Sequence, residues 1–131
     1  QNSTGQKLCA VNATLFRDCK GINMPPSASI TLASPTCGTI NATLQNFGGG
    51  LSVTPLCPGE VDICDPSIPS NAGPYGVQSW LYRGTVTLPN CGDDWRIYWS
   101  SCCRNNAITT LTNAGSFYVE AQLDNTLLAG K

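Results

Sequence analysis

VQSWLYRGTVTL, residues Val77 to Leu88, decides the fold class. It is the longest run of period-two alternation in the chain, with Trp80 and Tyr82 on one face and β-branched residues closing the run. A repeat of two places alternate side chains on opposite sides of an extended backbone, which is the signature of a β-strand. Gly84 is expected to mark a bend or bulge. Working outward, the same alternation recurs in short pieces cut by Gly, Pro and Asn. Leu8–Phe16 reads as a strand with Cys9, Val11, Ala13 and Leu15 on one face, and Ser27–Leu32 as a second after Pro25-Pro26. Thr39–Phe47 is a third, ended by Gly48-Gly49-Gly50, and Leu51–Leu56 a fourth. Beyond Val77–Leu88 come Asp94–Cys102, a shorter strand at Ala107–Thr112, and Ser116–Asp124 with Phe117, Val119, Ala121 and Leu123 inward. Glu60–Gly76, with Pro66, Pro69 and Pro74, has no period and reads as a long loop clipped by cysteine. No helical stripe and no internal repeat is present. Seven or eight short strands imply one all-β domain over residues 1–131, an antiparallel β-sandwich of Ig-like or jelly-roll style.

The chain holds eight cysteines in 131 residues and no histidine. Thiol enzymes and most zinc sites pair cysteine with imidazole, so Cys9, Cys19, Cys37, Cys57, Cys64, Cys91, Cys102 and Cys103 are expected as disulfide staples. Such staples persist in oxidising surroundings, which implies a secreted, extracellular or cell-surface protein whose leader has already been removed. Cys57 and Cys64 offer the most local bridge. Cys102 and Cys103 are neighbours that point to opposite faces of a strand and need different partners. Cys91 with one of that pair, and Cys37 with Cys9 or Cys19, are the remaining expectations. No C-x-x-C knuckle is present, so neither metal nor cofactor is expected.

Catalysis finds no support in these residues. Asp93 and Asp94 are the closest acid pair, but neighbours on a strand face opposite ways, and Gly92 marks a turn. Glu60, Asp62 and Asp65 cluster in the long loop without the spacing of a calcium motif. Only 11% of residues are charged, against roughly 25% in an ordinary soluble domain. The formal charge of −1 excludes the basic footprint that nucleic acid demands. No apolar run reaches the ~18 residues of a membrane span. A surface of hydroxyls and amides repels its neighbours weakly, which suits self-association into an oligomer or fibre, or a coat of sugar. Three sequons, at Asn2, Asn12 and Asn41, are candidate glycosylation sites, the last two on the outward parity of their strands. Trp95 and Trp99 read as core, while Tyr75 and Tyr98 are candidate surface contacts.

Several runs resemble an extracellular domain found in very large Bacteroidota-type surface proteins associated with gliding motility and adhesion. They are LFRDCKG (Leu15–Gly21), TPLCP (Thr54–Pro58), GTVTLPNCGDDWRIYWSSCCRNNAIT (Gly84–Thr109) and YVEAQLDN (Tyr118–Asn125). The opening Gln1–Lys7 departs from that family's usual start, and the chain stops soon after Asn125, as a stand-alone subunit would. The resemblance implies a secreted, disulfide-bonded β-domain with a structural or adhesive role and no catalytic residues. Two functions are therefore expected. One is a structural subunit that associates with copies of itself through its end segments, Gln1–Leu8 and Leu123–Ala129, the latter including Leu127 and Leu128. The alternative is an adhesin that binds glycan or a host protein through the Asp65–Tyr75 loop and the Asn90–Asp94 turn.

Overall fold

In the computed structural model, residues 6–69, 75–91, 94–102 and 116–124 are described. The described residues form six strands: β1 (Lys7–Asp18), β2 (Ser27–Ser34), β3 (Gly38–Ser52), β4 (Val77–Leu88), β5 (Asp94–Ser101) and β6 (Phe117–Asp124). All six belong to one sheet, in the order β1-β4-β3-β2-β5-β6, and its strands are antiparallel. The protein is thus all-β, as the period of two requires. The strand expected at Ala107–Thr112 lies outside the described residues.

One expectation is overturned inside β3. The glycine triplet was read as a break between two strands, but a single strand of 15 residues runs through it. The pairing of β3 with β4 skips a residue between Asn46 and Gly48 and again between Gly49 and Leu51. Two bulges absorb the glycines instead of a turn. Gly48 and Gly50 adopt φ of 133° and 85°, which side chains rarely tolerate. Gly49 lies opposite Trp80, and a Cβ there would sit 2.6 Å from Trp80 Cα and 2.7 Å from Ser79 O. The strand ends at Ser52, so Leu51–Leu56 is not a strand of its own. Val53 N donates to Val77 O, and Thr54 Oγ1 accepts from Val77 N, which leads the chain out of the ladder.

A second correction concerns β6. Its parity was expected to turn Phe117, Val119, Ala121 and Leu123 inward. Seven of its eight residues are exposed and only Leu123 is half-buried. Every residue of β6 pairs with β5, from Asp94 opposite Asp124 to Ser101 opposite Phe117, but β6 is the last strand in the order. Alternation sets which face a side chain takes. Burial needs a second layer over that face as well.

The chain divides into two compact units. One comprises Gln1–Cys9, Ser29–Thr43 and Thr85–Lys131, and the other Ala10–Ala28 and Leu44–Gly84. The first unit buries Ile30, Leu32, Val86, Leu88 and Trp95. Thr31, Leu32 and Ala33 of β2 pair with Tyr98, Ile97 and Arg96 of β5 within it. The second unit buries Ala28, Leu44, Ile63 and Tyr82. The Tyr82 ring is fully enclosed and its hydroxyl donates to Pro25 O at 2.7 Å, so burial does not strand the polar tip.

Gly49→Ala is expected to lower stability by about 1–3 kcal/mol, because the atoms it meets are backbone and cannot swing aside. Urea denaturation followed by tryptophan fluorescence measures this. An unchanged midpoint would show that β3 and β4 are further apart than described.

Candidate functional site

The staples are placed differently from the sequence expectation. Cys19 is bonded to Cys64, and Cys37 to Cys91. Cys57 therefore does not pair with Cys64, Cys91 pairs with neither of the adjacent cysteines, and Cys37 pairs with neither Cys9 nor Cys19. Cys9, Cys57 and Cys102 are free thiols rather than staples, and Cys103 lies outside the described residues. The local bridge loses because Cys57 is an exposed residue of the loop's first turn, where Glu60 N donates to its carbonyl. Cys64 instead meets the end of β1. The bridges close stretches 45 and 54 residues apart in sequence, a separation that proximity along the chain cannot foretell.

The Cys19–Cys64 bridge sits in a tight polar setting. Cys19 N donates to Gly76 O at 3.1 Å, and a Cβ on buried Gly76 would lie 2.5 Å from Cys64 Sγ and 2.9 Å from Cys19 Sγ. Only glycine lets the backbone cross the sulfurs so closely. Asp62 is 4% exposed and fully engaged. One oxygen accepts from Ser52 Oγ at 2.5 Å, the other from Cys64 N at 2.9 Å. The Ser52 hydroxyl, followed by that of Thr54, holds the Asp62 carboxyl below its ordinary range. Asp65 behaves similarly, its Oδ1 accepting from Ser67 N and Ser67 Oγ, which lowers its pKa. Ligand atoms of Cys19, Asp62 and Cys64 lie within 4.8 Å of one another, but the two sulfurs are joined to each other. The loop acids act as caps for turns.

Arg17 organises the same end of the second unit. Its guanidinium donates to Gln78 Oε1, Ile22 O, Asn23 Oδ1 and Cys19 O at 2.8–3.2 Å, and lies 5.8 Å from the Trp80 ring centroid. On the outward side a shallow groove of about 330 Å³ is lined by Thr14, Phe47, Gly49, Leu51, Trp80 and Leu81. The Arg83 guanidinium lies 4.2 Å from the Phe47 ring centroid beside it. Sequence reasoning missed this groove. Its only signal was Phe47 immediately before three glycines, which leave the floor without side chains.

The terminal strand is the other exposed feature. Tyr118 packs on Tyr98 with centroids 5.6 Å apart, and Phe117 meets Trp99 edge-on at 5.9 Å. Tyr118 OH donates to Glu120 Oε2 at 2.5 Å, which raises the phenol pKa and lowers that of the carboxyl. Trp95 is core, as expected, whereas Trp99 and Tyr98 are half-buried. Of the proposed assembly residues, Leu8 is exposed on β1 and Leu123 half-buried on β6, while Gln1, Leu127 and Leu128 lie outside the described residues. Asn12 and Asn41 are exposed on β1 and β3, and Asn41 Oδ1 accepts from Thr31 Oγ1; Asn2 lies outside the described residues. Tyr75 is 82% exposed, and the two end loops are described only in part. Among the described residues no helix is long and apolar enough to cross a membrane.

Comparison with family models, curated proteins and solved structures finds no match to this chain.

Two outcomes are expected. Alkylation without reductant should label Cys57 and Cys102 quickly, with Cys19, Cys37, Cys64 and Cys91 labelled only after reduction. Mass spectrometry of the peptides reads this directly, and a Cys57–Cys64 peptide pair would overturn the connectivity. Because the folded Asp62 carboxyl is depressed, its stabilisation is present above the ordinary aspartate range and lost as pH falls through the folded value. Asp62→Asn should therefore melt lower than the parent at neutral pH, and the gap should close in acid. Thermal melts across the acid range test this, and a gap independent of pH would show that the charge is immaterial.

Proposed function

We propose that this chain is an exported, non-catalytic structural subunit whose copies associate through sheet edges into an extracellular fibre or surface layer. One observation carries the reading. Among the described residues the order ends in β6, a strand of eight residues bonded to β5 along its whole length, with Phe117, Tyr118 and Val119 42–51% exposed. Soluble proteins usually blunt such an edge with lysine, proline or a bulge. β6 carries no lysine, proline or bulge, and its charges are confined to Glu120 and Asp124. Two bridges suit oxidising surroundings, and the scarcity of charge leaves little to keep copies apart. The resemblance to surface-protein domains supports the same address.

The two-layered sandwich belongs to this proposal. Phe16, Phe47 and Leu51 are 63–74% exposed, an apolar stretch of a kind that a second layer covers. The adhesin reading keeps one observation in its favour, the exposed ring of Tyr75 beside the long loop. A glycan array with Tyr75→Ala as control separates it from assembly.

Sedimentation velocity over a wide concentration range, with negative-stain imaging of the densest samples, tests the main reading. Association that grows with concentration and yields strings or sheets is expected. Monodisperse single chains at the highest concentration would defeat it.

A further inference from the structure

Two tyrosine rings and a ring of polar groups share the outward side of the first unit. Leu32 of β2 stands opposite Ile97 of β5, and Leu32 and Trp95 are fully buried, so these residues mark the inner side. The alternate residues take the other side: Thr31, Arg96 and Tyr98, joined from β6 by Tyr118, Glu120 and Gln122. A row of side chains crosses four neighbouring strands there. Asn41 of β3 accepts from Thr31 of β2, Thr31 stands opposite Tyr98 of β5, and Tyr98 stands opposite Glu120 of β6. Three strand spacings make the row about 14 Å long. Every member belongs to the same compact unit.

We infer that this face binds a neutral saccharide chain, with the rings of Tyr98 and Tyr118 against sugar C–H faces and with Arg96, Glu120 and Gln122 bonded to sugar hydroxyls. The inference goes beyond the assembly reading, and it moves the sugar contact of the adhesin alternative from the end loops to the sheet.

The chemistry of the face selects this ligand. The two rings lie 5.6 Å apart and are tilted by only 31°, and Tyr118 keeps 51% of its surface exposed. An aromatic face carries partial negative charge and attracts the slightly positive C–H bonds of a sugar ring. Beside the rings stand a donor-only group, Arg96, an acceptor-only group, Glu120, and an amide that does both, Gln122; all three are exposed. Sugar hydroxyls need both kinds of partner.

The platform is also held before any ligand arrives. Tyr118 OH donates to Glu120 Oε2, and Gln122 Nε2 donates to Glu120 Oε1. Tyrosine has few torsions to freeze, so little ordering entropy is lost on binding.

Other ligands fit less well. β5 lies between β2 and β6, so its backbone groups are spent on the ladder and none is left to pair with an extended peptide. Arg96 and Glu120 balance each other on the platform. Farther along the same strands Asp94 stands opposite Asp124, which adds acid and disfavours a sulfated or sialylated sugar.

Binding of soluble neutral oligosaccharides to the whole chain tests the site. Saturation-transfer NMR is the readout, with sulfated and sialylated oligosaccharides run beside the neutral ones. The parent is expected to bind a neutral chain and to saturate its ring C–H protons. Tyr98→Ala and Tyr118→Ala should each weaken binding roughly tenfold, whereas Tyr118→Phe, which keeps the ring, should cost only about twofold. Tyr75→Ala should bind as the parent does. Near-UV circular dichroism confirms that each variant is folded, and the exposed Tyr118 carries the test if Tyr98→Ala is not. Binding that survives the loss of the rings, or that charged sugars alone achieve, would overturn the site. Loss of binding in Tyr75→Ala would return the contact to the end loop and overturn it too. So would a parent that binds no neutral oligosaccharide at millimolar concentration. None of these outcomes touches the association of copies, which sedimentation reads separately.

Discussion

The close approach of Gly49 to Trp80 is the constraint on which the second unit depends. A backbone-to-backbone fit with no room for a Cβ brings β3 and β4 together just where two bulges shift their register. Without it the glycine triplet would end the strand. Leu51 and Ser52 could not then pair with Ser79 and Gln78. That last stretch of pairing carries Ser52 to the Asp62 carboxylate and Thr54 to the start of β4. A local gap in side-chain volume therefore places the whole proline-rich loop.

That loop shows how a segment without regular structure is held. Its polar atoms are engaged by short side chains two residues apart, as in the Asp62–Cys64 and Asp65–Ser67 turns, and by one covalent link to the end of β1. Arg17 adds four donated hydrogen bonds from a single side chain. In a chain so poor in charge, one guanidinium reaching four acceptors does the organising that several ion pairs do elsewhere.

The strand pattern was legible because burial on one side of a sheet imposes a period of two. β4 matches the expected Val77–Leu88 residue for residue, and β1, β2, β5 and β6 differ from expectation by one or two residues at an end. β3 was misread because glycine both ends strands and permits bulges, and only the opposing Trp80 decides between the two. Cysteine pairing was illegible for a different reason. Cys57 and Cys64 are near in sequence, but a bridge joins residues near in space, and the partner of Cys64 comes from the turn just after β1, 45 residues earlier. The exposure of β6 could not be read, because alternation does not say what covers a face. The glycine-floored groove beside Phe47 left almost no trace, since it is made by missing side chains.

The two bridges overlap along the chain: one runs from position 19 to 64 and the other from 37 to 91. If the ends are pulled apart, the stretch from 19 to 91 cannot pay out freely. The shortest covalent route passes from 19 to 37 and then crosses the sulfur link to 91, about 60 Å fully extended instead of about 250 Å for the open chain. A second route, across the other link to 64 and on to 91, is longer, about 90 Å, and tightens only if the first gives way. Such a unit resists stretching even after its sheet has come apart.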